Sequence, residues 1–511
     1  MLPAVPHLET DFVRDHLPFT IALALAVGGL ALGFTWLQVR LNRVLRLTDA
    51  PRADRWHRSP TPSSGGIAIF AAIALGYVVW FPGQHTPIVL GVVALWLLGL
   101  VDDLLGLPPA LKLLGQALAS AFVVASGVVF HATASNTFNV AFSFFWLVGI
   151  SNAFNLIDNM DGLCAGVTVI IALFRFWLLA AAGSWTDAHL CAMIAAAYAG
   201  FLILNRNPAR IFMGDCGSML AGFSLAALTI ASPLAHTKSF VAGVFYPALT
   251  FTYPIFDTVL VSILRKIAGR PISVGGRDHS SHRLASAGVG ESRVVAILWA
   301  LAAAGSAAGL MMRSMPIALF AASGIIAMAM AVFGVFLATL PAYPLAPVWP
   351  AGNSPLRRYI PSLRAGVVLV TDVAVAGMAL LVAFLMRFGP NIPPEQLHNL
   401  AVSLPIVMAM HAGFSAYHRT YAISWCEPGI ADAWPLAQSV ALAFACSFLC
   451  IWMLNLRSFS RGAMLCYGVF CVAGSLALRS GVPILRLLVK ESEDSEDIPF
   501  VAETISASAA D

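Results

Sequence analysis

The chain has 511 residues, of which 59% are hydrophobic and only 11% charged, with a formal net charge of +4. A mean hydropathy of +0.83 over that length is incompatible with an ordinary soluble domain. The small positive balance comes mainly from loop arginines, which points to membrane orientation and anionic headgroups and argues against nucleic acid as a partner. Spans must satisfy their backbone hydrogen bonds internally, and runs of about twenty apolar residues suit helices better than the short alternating strands of a barrel. The predicted fold is therefore all-α, a polytopic integral membrane protein.

Residues 1–18 carry His7, Glu9, Asp11, Arg14 and Asp15, lack a basic start and show no clear cleavage site, so no removable signal peptide is expected. Apolar runs near 18–38, 66–82, 86–101, 111–130, 138–154, 162–182, 188–204, 217–234, 240–264, 293–312 and 315–340 predict about eleven transmembrane helices, a unit over 18–340. A proline-rich linker at 341–361 follows. Runs near 365–386, 400–417, 435–455 and 462–480 then predict an accessory module of about four helices over 362–480. The remainder, 481–511, is acidic and rich in small residues, and is expected to be disordered. Cys164, Cys191, Cys216, Cys446, Cys450, Cys466 and Cys471 lie in or beside apolar runs without metal spacing and read as small buried hydrophobes.

If the amino terminus starts outside, one set of loops and its edges holds 22 of the 29 lysines and arginines, so that side is expected to be cytoplasmic. Asp102 and Asp103, Asp158 and Asp161, Asp215 within FMGDCGS, and His279 and His282 fall in four loops on that same side, with Asp257 near the cytoplasmic end of its span. Carboxylates are expensive in a chain built for lipid unless they line a polar site. Several converging acids repel unless cations or protons compensate, which suggests Mg²⁺, or Mn²⁺, held by oxygen ligands. A divalent ion with spare carboxylates suits phosphoryl transfer, and His279 and His282, beside Arg277 and Arg283, add donors for phosphate oxygens. Taken singly, each cluster has a plainer reading: helix caps for Asp102 and Asp103, a solvated basic loop for the histidines, a tight turn for FMGDCGS.

VDDLLGL at 101–107, NAFNLIDNMDGLCAG at 152–166, NRNPARIFMGDCGSMLAG at 205–222, PIFDTVLVSILRKIAGRP at 254–271 and GRDHSSHRL at 276–284 resemble, in order, the motifs of the polyprenyl-phosphate N-acetylhexosamine-1-phosphate transferases. DAPRADRWHRSPTPSSGGIAI at 49–69 looks like that family's first cytoplasmic loop. The resemblance implies an eleven-helix enzyme of the bacterial inner membrane, its active site facing the cytoplasm. Such an enzyme moves a sugar-1-phosphate from a UDP-sugar onto undecaprenyl phosphate and releases UMP, with membrane lipid around it and a homodimer compatible with it.

By the same resemblance Asp215 is the metal ligand, Phe212 stacks on uracil, and Asp102, with Asp103 beside it, deprotonates or orients the lipid phosphate. Asn155, Asp158 and Asp161 bind the nucleotide and its diphosphate, and His279 and His282 form the basic histidine motif. Two departures stand out: Asn159 where a glycine is usual, and Ser280 and Ser281 within what is often a denser histidine cluster. The phospho-MurNAc-pentapeptide transferase of peptidoglycan synthesis, which usually has three adjacent histidines here, is an alternative. An ion-coupled transporter and a silent scaffold are rivals from other classes. The accessory module, through Asp372, Arg387, Tyr417 and Trp425, resembles the membrane anchor of nucleotide-sugar dehydratases of polysaccharide synthesis, without their soluble nucleotide-binding domain.

Overall fold

The computed structural model describes residues 10–45, 64–232, 240–272, 275–312, 316–340, 360–389, 391–420, 430–454 and 459–494. The first eight helices are α1 (Thr10–Leu45), α2 (Gly66–Trp80), α3 (Thr86–Leu105), α4 (Pro109–Ala125), α5 (Asn136–Ile157), α6 (Leu163–Ala181), α7 (Trp185–Asn205) and α8 (Gly214–Ala231). Next come α9 (Phe240–Thr250), α10 (Thr252–Ile267), α11 (Ser280–Ser286), α12 (Glu291–Met312) and α13 (Pro316–Thr339). The last four are α14 (Ile360–Phe388), α15 (Pro394–Tyr417), α16 (Ile430–Met453) and α17 (Arg461–Asp494). No strand occurs among the described residues.

Twelve of these helices are long and apolar enough to cross a membrane, α9 and α10 together pass as one span bent by 85°, and α2 and α4 are shorter apolar helices. Together they reproduce the expected eleven segments through α13 and four beyond it. One expectation fails: α17 runs to Asp494, so 481–494 is helical instead of disordered. Its sequence is acidic only at the end, and Leu485 first packs against the main core. The linker at 341–359, most of the first loop at 46–63, and 495–511 lie outside the described residues.

The break between α9 and α10 has a chemical cause. Pro254 has no N–H to give to the carbonyl of Thr250, one turn back. Ser306 Oγ on α12 donates to that carbonyl instead, at 3.0 Å, and Thr252 Oγ1 donates to Leu249 O at 2.6 Å. The freed backbone groups are thereby satisfied inside the bundle, as a bilayer requires.

The main core centres on α8, whose residues from Cys216 to Ile230 are all buried. Its small side chains let neighbours approach closely. A Cβ added at Gly66 would sit 2.3 Å from Gly217 N, and one at Gly99 would sit 2.5 Å from Cys216 Cα. The starts of α2 and α8 and the last third of α3 are thus clamped backbone to backbone. Helices α14 to α17 build a second core around Phe384, Val407 and Tyr467. Helix α13 serves both, with Phe336 and Leu337 in the first core and Ala321 in the second.

Candidate active site

Loop 210–213 and the first turn of α8 form the floor of the candidate site. Gly65 and Gly66 donate their N–H groups to Phe212 O and Met213 O, each at 2.9 Å, which pins the end of the first loop to FMG. Gly214 has φ of +75°, and a Cβ there would lie 2.6 Å from Asp103 Oδ2. Only glycine fits that position. Asp103 in turn accepts from Asp215 N–H at 2.8 Å and Cys216 N–H at 3.1 Å. The capping alternative is therefore realised for Asp103, but across helices: it caps α8 from α3, satisfying two of the orphan donors at a helix start.

With its backbone held by Asp103, the Asp215 side chain turns to Lys112 on α4. The Lys112 ammonium donates to Asp102 Oδ2 at 2.9 Å, to Asn155 Oδ1 at 3.0 Å, and to Asp215 Oδ2. Oxygens from α3, α5 and α8 thus converge on one positive charge. Asp102 Oδ1 also accepts from Leu107 N–H at 2.7 Å, and Asn155 Nδ2 donates to Ser218 Oγ at 3.0 Å. The Asp215 side chain is 30% exposed against 13% for Asp102, so Asp215 is the carboxylate more open to a ligand.

Helix α5 ends at Asp158, whose side chain is half-buried. Past it, Asp161 Oδ2 accepts from Ala209 N–H at 2.8 Å, and Asn207 Nδ2 donates to Glu291 Oε2 at 2.5 Å. Asp161 therefore shapes the loop that leads into Phe212, itself half-buried.

The histidine motif docks on the same turn. Asp257, fully buried on α10, accepts from Ser280 N–H at 2.8 Å and Ser280 Oγ at 2.5 Å, and its Oδ2 lies 2.7 Å from His279 Nδ1. Ser281 Oγ donates to Asn159 Oδ1 at 2.6 Å, and His282 Nε2 lies 3.3 Å from Asn159 O. Burial first, and the nearby His279 charge second, push His282 down to about 4, so its ring is neutral at physiological pH. Burial would raise the Asp278 carboxyl, but the paired hydrogen bonds from Arg265, at 2.8 and 2.7 Å, hold it below the ordinary carboxylate range.

The sequence motifs thus fall into two linked groups. Asp102, Asn155 and Asp215 meet around Lys112, with Asp103 holding the start of α8, while His279 is held by Asp257 and His282 by the Asp158–Asp161 turn that follows α5. Arg283 is a correction. It donates to the carbonyls of Asp278, Leu337 and Leu340, at 3.0, 3.2 and 3.1 Å, and so ties off the end of α13 instead of offering donors to a phosphate. Lys112 is the residue the motifs did not flag. Its signal was a lone ammonium at the head of the apolar run that became α4.

The donor chemistry suits a hard divalent cation. Carboxylate and amide oxygens already surround a positive charge at Lys112, and no group of three or more His, Cys, Asp or Glu forms a closed cage among the described residues. Mg²⁺ characteristically binds through one or two carboxylates plus substrate phosphates and keeps several waters. The residues present would fit that mode, with Asp215 the carboxylate more open to an ion.

Residues 85–233 match the model of glycosyl transferase family 4. A Bacillus subtilis protein named probable undecaprenyl-phosphate N-acetylglucosaminyl 1-phosphate transferase is 29% identical over 57% of this chain and 83% of its own length. The phospho-N-acetylmuramoyl-pentapeptide-transferase of Lactobacillus gasseri is 29% identical over 42% of this chain and 75% of its own. The decaprenyl-phosphate N-acetylglucosaminephosphotransferase of Mycobacterium tuberculosis is 31% identical over 49% of this chain and 71% of its own length. With that coverage, and with the motif carboxylates gathered on one face of the bundle, the chain belongs to glycosyl transferase family 4, the polyprenyl-phosphate sugar-1-phosphate transferases.

Proposed function

We propose that the chain transfers N-acetylhexosamine-1-phosphate from a UDP-sugar to undecaprenyl phosphate, releasing UMP, with Mg²⁺, at the cytoplasmic face of a bacterial plasma membrane. The observation that carries this reading is the convergence of Asp102, Asn155 and Asp215 on the Lys112 ammonium at the helix ends. A cation-balanced carboxylate cluster at that edge suits a lipid acceptor and a water-soluble donor better than an ion path through the bilayer midplane. The bias of lysine and arginine toward the same side supports the orientation.

In the reaction, an oxygen of the lipid phosphate attacks the phosphorus that bears the sugar. The bond from that phosphorus to the bridging oxygen breaks, and UMP leaves with the electron pair. Mg²⁺ held by Asp215 would neutralise charge on the diphosphate and polarise the attacked phosphorus. Asp102, fixed by Leu107 N–H and Lys112, positions the lipid phosphate or takes its proton. Lys112 balances the two carboxylates and is placed to donate to phosphate oxygens. Phe212 stacks on the uracil, Asp158 and Asp161 shape the nucleotide side, and His279, whose Nδ1 is held by Asp257, offers its other ring nitrogen to a phosphate. Ser280 and Ser281 both donate inward, to Asp257 and Asn159, and leave no third histidine beside His279 and His282. That favours an N-acetylhexosamine donor over the MurNAc-pentapeptide.

UMP release by the purified chain across a panel of UDP-sugars, with undecaprenyl phosphate present or omitted, tests the reading. Asp215→Ala should remove most turnover together with Mg²⁺-dependent UDP-sugar binding. Near wild-type turnover with unchanged metal dependence would overturn the ligand assignment.

A further inference from the structure

A cavity of about 590 Å³ opens between the cytoplasmic ends of α7 and α12, over the start of α6. None of Asp102, Lys112, Asn155, Phe212 or Asp215 lines it. Its rim carries Arg206 and Arg210, both exposed, against one carboxylate, Asp161, which is already engaged by Ala209 N–H. Its wall is apolar: Ile203, 53% exposed on the outer side of α7, with Val295 and Trp299 from α12. Trp299 is fixed by Nε1–H donating to Leu163 O at 3.3 Å and by a ring seated on Gly166, where a Cβ would come within 2.0 Å.

Depth decides what such a cavity can take. Ser292, in the first turn of α12, lies at its mouth, and Trp299 is seven residues further along, about 10 Å deeper at ~1.5 Å per residue. The lining therefore passes from paired guanidinium groups to a tryptophan and aliphatic side chains over the thickness of a headgroup region, the layer where tryptophan is favoured. Guanidinium forks suit a phosphodiester, and the apolar wall open at Ile203 suits the first carbons of an acyl chain.

We infer that this cavity, which shares only Asp161 with the nucleotide side of the site, is a binding site for an anionic glycerophospholipid of the surrounding membrane. The phosphodiester sits between Arg206 and Arg210, and one acyl chain runs down past Val295 and Trp299. A nucleotide fits less well, because the deep end is lined by Ile203, Val295 and Trp299, whose indole N–H is already given to Leu163 O.

The test uses the delipidated full chain in a neutral detergent, titrated with phosphatidylglycerol or phosphatidylcholine and read by native mass spectrometry and thermal shift. Phosphatidylglycerol should bind and raise the melting temperature, and phosphatidylcholine should do so weakly. Arg206→Ala, outside the loop that carries Phe212, should weaken phosphatidylglycerol about 5-fold with UDP-sugar affinity unchanged, and adding Arg210→Ala should bring the loss of lipid affinity to about 30-fold. Val295→Trp, which fills the cavity and keeps both charges, should also abolish the bound lipid. Wild-type phosphatidylglycerol affinity in the arginine pair variant would overturn the proposal. So would retained binding in a folded Val295→Trp protein, which would place the lipid on surface charge alone. An equal loss of UDP-sugar and lipid affinity in Arg206→Ala would assign the cavity to the nucleotide and refute the inference.

Discussion

Lys112→Met would remove the one positive charge at which Asp102, Asn155 and Asp215 meet, while keeping most of the stem volume of a side chain that is 16% exposed. Two carboxylates about 4 Å apart at an effective dielectric near 20 repel by about 4 kcal/mol. Without the ammonium they separate, and the arrangement on which the proposed roles of Asp215 and Asp102 depend is lost. The expected fall in kcat/KM is about 10²- to 10³-fold, corresponding to about 3–4 kcal/mol of transition-state stabilisation. The half-saturating Mg²⁺ concentration should move lower, because no resident cation now competes for Asp215. UMP release measured against Mg²⁺ concentration, with a melting curve to confirm folding, reads both effects. A kcat/KM within threefold of wild type and an unchanged Mg²⁺ dependence would refute the clamp.

Gly66→Ala should cost at least about 1–3 kcal/mol of stability, since its Cβ meets backbone atoms of Gly217 that cannot move without displacing the start of α8; a melting temperature within 1 °C of wild type, in a protein of unchanged activity, would count against that close approach. His282 is held neutral to about pH 4, so between roughly pH 6.5 and 4 the unfolded chain takes up a proton that the folded chain refuses, and stability falls as pH falls. His282→Gln should flatten that part of the melting-temperature profile, and an equally steep profile in the variant would exclude the histidine as its source. Truncation after Leu340 should preserve turnover, because every candidate reaction residue precedes it, but should lower the melting temperature by baring α13, where Met378 packs on Gly324 and Gly481 meets Val332. A folded truncate that binds UDP-sugar yet transfers nothing would assign the module a direct part in the reaction.

The membrane class and the segment count were legible because the bilayer imposes a length on each apolar run, and the acids were legible because carboxylates are rare in such a chain. Partnership was not. Lys112 meets a carboxylate 103 residues away, and Asp103 reaches the backbone of α8 across 112 residues, contacts no local pattern encodes. Nor does a guanidinium in a basic loop announce its target: Arg283 beside the histidines turns to carbonyls of α13, whereas Arg206 and Arg210, inside a motif noted for Phe212 and Asp215, remain open to solvent. The acidic tail misled because its composition was read as a whole, when the backbone of α17 stays helical to Asp494.

Asn159 and Ser281 are two of the three positions at which the chain departs from its family's pattern, and they are bonded to each other across 122 residues. A glycine at 159 alone would leave the Ser281 hydroxyl without its acceptor, and a histidine at 281 alone would meet an amide shaped for a smaller donor. The two differences are therefore one change written twice, and their substitution effects are coupled, not additive. Chimeras that exchange the histidine segment with that of a relative must carry the α5–α6 turn with it.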